Sequence, residues 1–86
     1  MDINNLIAIV KKKITNEIVI EKIEVEDKSF LHKNHSGHQE GKFHLKLIIN
    51  SKELKKFNKI ESNKKIYKAL NHEMKEYIHS LQILIC

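Results

Sequence analysis

The sequence of 86 residues predicts an α+β domain, with helices on one face of a three-stranded mixed sheet. Three observations carry this expectation. Apolar residues recur at three- and four-residue spacing near the start and again after residue 62. Two β-branched, alternating segments flank a histidine-rich stretch, and the last eight residues alternate once more.

Taken in order, Asp2 can cap a helix whose apolar positions are Ile3, Leu6, Ile7, Val10 and Ile14, with Lys11 to Lys13 near its C-terminal end, where cations suit the dipole. Residues 17–27, EIVIEKIEVED, read as the first strand, and a phase shift between Ile20 and Ile23 suggests a bulge in it. Residues 28–41 hold both glycines, Asn34 and the run HKNHSGH, so they make a connection too long for a tight hairpin turn. KFHLKLIIN then sets Phe43, Leu45, Leu47 and Ile49 against His44, Lys46 and Asn50, the period of two that marks a second strand. SKELKKF starts with a capping-type serine and gives one short helical turn. A longer helix is expected from a cap at Ser62 to about Tyr77, with Ile66, Leu70, Met74 and Tyr77 on its inner stripe. HSLQILIC closes the chain as a third strand, with Leu81, Ile83 and Ile85 on one side and His79 at the junction of helix and strand. A hairpin pairs the first two strands antiparallel, and a helical crossover brings the third in parallel.

Composition limits what such a domain does. Residues 1–86 amount to one domain, too small to house a deep substrate cleft. No apolar run approaches the length needed to span a bilayer, and the start MDINNL has neither the basic nor the apolar part of a secretion signal, so the chain is expected to be cytoplasmic. The single cysteine, Cys86, cannot form an internal disulfide, in keeping with a reducing compartment. The formal charge of +5 raises the question of nucleic acid, but all sixteen basic residues are lysine. Without the planar fork of arginine, sequence-specific readout is disfavoured, while weak, salt-sensitive attraction to phosphates stays open. Enzyme chemistry is not expected: the sequence has no Gly-x-Ser-x-Gly elbow, no phosphate-cradling glycine loop and no rigidly placed cysteine beside a histidine.

Several short motifs in a fixed order resemble the BolA family across nearly the whole chain. Members typically carry an acidic Asp-Glu-Ser, a loop with His-Ala-Gly-His, a Gly-x-x-His-Phe opening a strand, and a helix ending in Val-His-Ala-Leu. The counterparts here are Asp27, Lys28 and Ser29, then His32 to His35, then Gly41 with His44 and Leu45, and finally Ile78, His79, Ser80 and Leu81. The resemblance implies a KH-like fold of helix, two strands, helix and strand. It also implies a non-catalytic iron–sulfur adaptor, in cluster trafficking or iron sensing and with a stress-response role, a monomer or weak homodimer when alone. Its partner would be a monothiol glutaredoxin, whose thiolate, with glutathione, shares a 2Fe–2S cluster with two BolA ligands. Those ligands map to His79 and to one of His35 or His32, with His35 favoured as the second histidine of the loop pattern. Histidine ligation of such clusters has precedent in Rieske centres.

The alternative function is a nucleic-acid-binding transcriptional regulator using the KH-like fold. Two departures weaken it: the family's Arg-His-Arg is here Ser62, Asn63 and Lys64, and its glycine after the second strand is replaced near Lys56. Gly37 and Gly41 lie between strands and do not form the Gly-x-x-Gly clamp of KH domains. Of the remaining histidines, His38 reads as a polar loop residue, His44 as a solvated or packing residue, and His72 as exposed. His32, His35 and His38 together would still need a fourth ligand and a supporting shell to hold zinc or nickel.

Overall fold

The computed structural model describes residues 1–29 and 42–86. Helix α1 spans Ile3–Glu17, and Asp2 caps it by accepting the Asn5 backbone N–H at 2.9 Å. Its stripe of Leu6, Val10 and Ile14, one residue per turn, is fully buried. The helix runs further than the sequence suggested. Glu17 belongs to it, and the last turn contains no basic residue, so Lys11 to Lys13 sit mid-helix rather than at the end.

The first strand, β1, is Lys22–Asp27, not the whole of residues 17–27. The phase shift between Ile20 and Ile23 marks the joint between helix and strand instead of a bulge. Ile18 turns extended and buries itself. The Val19 N–H goes to Glu53 Oε2, the Val19 carbonyl accepts from Ser51 Oγ, and the Glu21 N–H reaches the Asn50 carbonyl. These tertiary bonds satisfy a backbone that has no ladder of its own.

Strand β2, Phe43–Asn50, is the centre of the sheet. It pairs antiparallel with β1, Lys22 opposite Asn50 and Asp27 opposite Leu45, and parallel with β3, Ile78–Ile85. Leu45, Leu47 and Ile49 bury their alternate side chains in one cluster with Leu6, Val10, Ile14, Leu54, Ile66 and Leu70. The helices therefore cover one face of a mixed α+β sheet, an order compatible with the KH-like arrangement. Each fully buried Leu or Ile in that cluster contributes about 1.5–3 kcal/mol from apolar area removed from water.

Between β2 and β3 the sequence forms three helices. Ser51 caps α2, Lys52–Lys55, by accepting the Leu54 N–H. The long helix is displaced from its expected start. Asn58 is the cap of α3, Lys59–Ala69, accepting the Glu61 N–H at 2.8 Å, and Ser62 lies inside the first turn. There Ser62 is buried and its hydroxyl donates to the Leu54 carbonyl at 3.0 Å, joining α3 to α2. The helix also breaks at Leu70 (φ −104°, ψ 19°) before α4, Asn71–Glu76, so the stretch to Tyr77 is two pieces.

Candidate metal-ligand site

Residue 79 owes its presentation to an irregularity in the parallel ladder. Phe43 pairs with Ile78, but the next residue of β2, His44, pairs with Ser80. His79 has no opposite number and is the extra residue of a β-bulge, a device that re-aims a side chain where a strand begins. Ile78 points into the core and is buried, while His79 and Ser80 are both exposed. Tyr77 anchors the entry to the bulge, its carbonyl accepting the Phe43 N–H at 2.9 Å.

His44 stands beside this bulge. Its ring centroid is 4.8 Å from that of His79, with the planes tilted by 49°. Its Nδ1 shares a 2.6 Å hydrogen bond with Ser80 Oγ, the direction depending on the tautomer. The backbone is held on the other side: the His44 N–H donates to Ser29 Oγ at 3.0 Å, the His44 carbonyl accepts the Lys28 N–H at 2.7 Å, and Asp27 Oδ1 accepts the Ser29 N–H. His44 is only 6% exposed, so it is a packed residue, not a solvated one. The two imidazoles thus have different characters. His79 is exposed, and the buried His44 ring packs against it.

Of the expected ligands, His79 sits where the sequence put it, at the junction of α4 and β3. His35 and His32 lie outside the described residues, as does His38. The described chain leaves off at Ser29 and resumes at Lys42, beside the same end of the sheet. Among the described residues no three His, Cys, Asp or Glu side chains converge on a metal-sized space. A ligand set around His79 would draw its other members from residues 30–41 or from a partner. The donor type fits an iron–sulfur centre: an exposed imidazole on a rigid element, braced by a buried neighbour. Cys86 does not belong to this set. It is exposed at the far end of β3, seven residues on and about 23 Å away at the usual strand rise. His72 is exposed, with its ring edge-on to Tyr77.

The bracing role of His44 is the feature that reading the sequence missed. The signals were present, a histidine opening β2 and a serine following His79, but the register that joins them depends on the bulge.

Charge is distributed unevenly. Residues 52–69 hold seven lysines against Glu53 and Glu61, a net of +5, which equals the formal charge of the whole chain. The rest of the protein is neutral in sum. Within this basic segment the Phe57 ring is partly exposed, with Lys65 Nζ 4.6 Å from its centroid.

Comparison with known proteins agrees with the fold. A family model described as BolA-like protein matches residues 14–85. The DNA-binding transcriptional regulator BolA of Haemophilus influenzae is 31% identical over 75 residues, covering 87% of this chain and 70% of that protein. The BolA domain of SufE1 from Arabidopsis thaliana superposes with a TM-score of 0.80 at 26% identity, over 98% of this chain and 93% of that one. BolA1 from the same plant gives 0.75 at 23% identity, over 92% and 87%. With a match over most of its length and the same α+β architecture, the chain belongs to the BolA-like family.

Proposed function

We propose that this protein is a non-catalytic iron–sulfur adaptor of the cytoplasm that holds a 2Fe–2S cluster jointly with a monothiol glutaredoxin and its glutathione. The observation that carries the reading is His79, an exposed imidazole fixed in a bulge and braced by a buried histidine. The second imidazole comes from His35, or from His32, on residues 30–41. When bound, the cluster supplies iron that accepts nitrogen ligands; this chain contributes the imidazoles and the surface that sets their spacing. The test is titration of the protein into cluster-loaded monothiol glutaredoxin, followed by visible absorption and circular dichroism. A heterodimer with an altered spectrum is expected. His79→Ala should abolish the altered spectrum, and His35→Ala should weaken it. Absence of any complex at micromolar concentration rejects the adaptor reading, and an unchanged spectrum in His79→Ala rejects the ligand assignment.

A second reading, nucleic-acid binding, is favoured by the concentration of the entire net charge on residues 52–69, and a relative carries the name of a DNA-binding regulator. With lysine as its only basic residue, such binding rests on phosphate attraction and falls steeply with salt. Fluorescence anisotropy of a labelled duplex at about 50 and about 200 mM salt separates the cases, because counterion release dominates phosphate binding over that interval. Selective binding that persists at the higher salt would put this reading first.

A further inference from the structure

Strand β3 is an edge of the sheet, paired on its β2 side alone among the described residues. The bulge determines which of its groups face outward. Before it, the Tyr77 carbonyl faces β2 and takes the Phe43 N–H; after it, the Cys86 N–H reaches the Ile49 carbonyl. The bulge has switched the phase, so even-numbered residues now face β2, and the backbone groups of Leu81, Ile83 and Ile85 point away from the sheet. The Tyr67 hydroxyl already donates to the Leu81 carbonyl at 3.2 Å. The half of the edge beyond it, at Ile83 and Ile85, has no such cover among the described residues.

This open half lacks the features that keep edges from pairing. Leu81 to Ile85 contain no charge and no proline, whereas four of the six residues of β1, the other edge, are charged. Beside it lies a groove of about 320 Å³ between β3 and the turn joining α2 to α3. Leu54, Phe57, Ile83 and Ile85 form its apolar walls, and Lys55 and Lys59 are its cations. Leu84, 47% exposed, extends the apolar surface.

We propose that this edge and groove take up an extended segment of a partner protein as a fourth strand, and that its groove-facing residues, every second one, set acidic side chains on either side of an apolar one. In strand addition the main chain supplies hydrogen bonds, and alternate side chains enter a neighbouring pocket. Here the outward amides and carbonyls of Ile83 and Ile85 meet the backbone, the groove receives an apolar side chain, and Lys55 and Lys59 meet carboxylates. Charge complementarity selects an acidic segment, because the groove belongs to the part of the chain that carries all the net positive charge. A nucleic-acid backbone would use the lysines and could accept from the outward amides, but it has no donors for the outward carbonyls of Ile83 and Ile85. A second copy docking by its own β3 would bring two lysine-rich faces together.

The experiment uses the whole chain and a defined probe, an acetylated and amidated seven-residue peptide with aspartate, leucine and aspartate at its second, fourth and sixth positions, which share one face of a strand, and threonine elsewhere. Amide NMR should show saturable shifts at Ile83, Ile85, Lys55 and Lys59, with a dissociation constant below ~1 mM. Hydrogen exchange at the Ile83 and Ile85 amides should slow by about tenfold or more at saturation. The same peptide N-methylated at alternate residues, which removes its inward donors without touching the protein, should not bind. Lys55→Glu combined with Lys59→Glu, both exposed positions, should weaken the unmodified peptide by about tenfold or more. Equal binding of the N-methylated peptide, shifts confined to other residues, or self-association of the free protein through the same amides would each overturn the proposal. Tighter binding of an oligothymidine that displaces the peptide would overturn it too, assigning the groove to nucleic acid. Because the probe contains no cluster and no glutaredoxin, the result is independent of the adaptor reading.

Discussion

Lys13→Met tests how α4, the element that leads into His79, is held in place. Lys13 Nζ lies 2.6 Å from Glu73 Oε2 and bridges α1 to α4. The Glu73 side chain is 3% exposed, the lysine 40%, and Glu73 Oε1 is buried with no hydrogen-bond partner among the described residues. Removing the lysine leaves a buried carboxylate without its counter-charge. Breaking a fully buried pair costs about 3–5 kcal/mol, and an exposed pair is worth about 0.2–1. With one member buried and the other still reached by water, the expected loss is about 2–3 kcal/mol. At roughly 4–8 °C per kcal/mol for a domain of this size, the melting temperature should fall by about 8–24 °C. The double variant Lys13→Met with Glu73→Met should recover most of the loss, because what destabilises the single variant is an unpaired buried charge, not the absence of an attraction. Urea unfolding followed by far-ultraviolet circular dichroism gives all three free energies. A double variant no more stable than Lys13→Met, or a single variant within about 0.5 kcal/mol of the parent, the range of ordinary surface substitutions, would refute the reasoning.

Further outcomes concern packing near the site and the start of α3. His44→Ala removes a buried ring and its bond to Ser80, and should cost about 2–3 kcal/mol in thermal unfolding. The His79 imidazole signals in NMR should broaden or shift in the same variant, whereas Leu54→Ala, distant from the bulge, should destabilise without moving them. Asn58→Ala should lose about 1 kcal/mol as a missing cap. Ser62→Ala should lose about 0.5–1.5 kcal/mol, one buried hydrogen bond, because the Leu54 carbonyl keeps the Phe57 N–H at 3.1 Å, and equilibrium unfolding measures both variants.

The parts of the fold that followed from the sequence are those set by periodicity. The α1 stripe, the alternation of β2 and the mixed pairing of β3 each depend on residues whose burial repeats at the spacing of their element. What stayed hidden depends on contacts distant in sequence. Residues 18–20 look like strand because they are β-branched, yet bonds to Val19 from Ser51 and Glu53, more than thirty positions away, hold them as a connection. Ser62 has the composition of a cap, whose oxygen would accept an N–H, but its hydroxyl donates to the Leu54 carbonyl, and Asn58 is the cap. At the candidate site, His79 was legible from its motif. Its alliance with His44 required a register that shifts by one residue, and no local pattern announces such a shift.

The confinement of the net charge to residues 52–69 bears on how quickly the protein meets others. A body whose remainder is neutral, and whose β1 edge is rich in carboxylates, has a large electric dipole as well as a net charge. In the field of an anionic partner it would rotate during approach, so collisions begin with the lysine-bearing helices foremost and fewer encounters are wasted on unproductive orientations. The lysines would then govern the association rate more than the lifetime of the complex. Exposed lysine substitutions on α3, such as Lys64→Gln or Lys68→Gln, would leave dissociation nearly constant while association slowed and its dependence on ionic strength weakened.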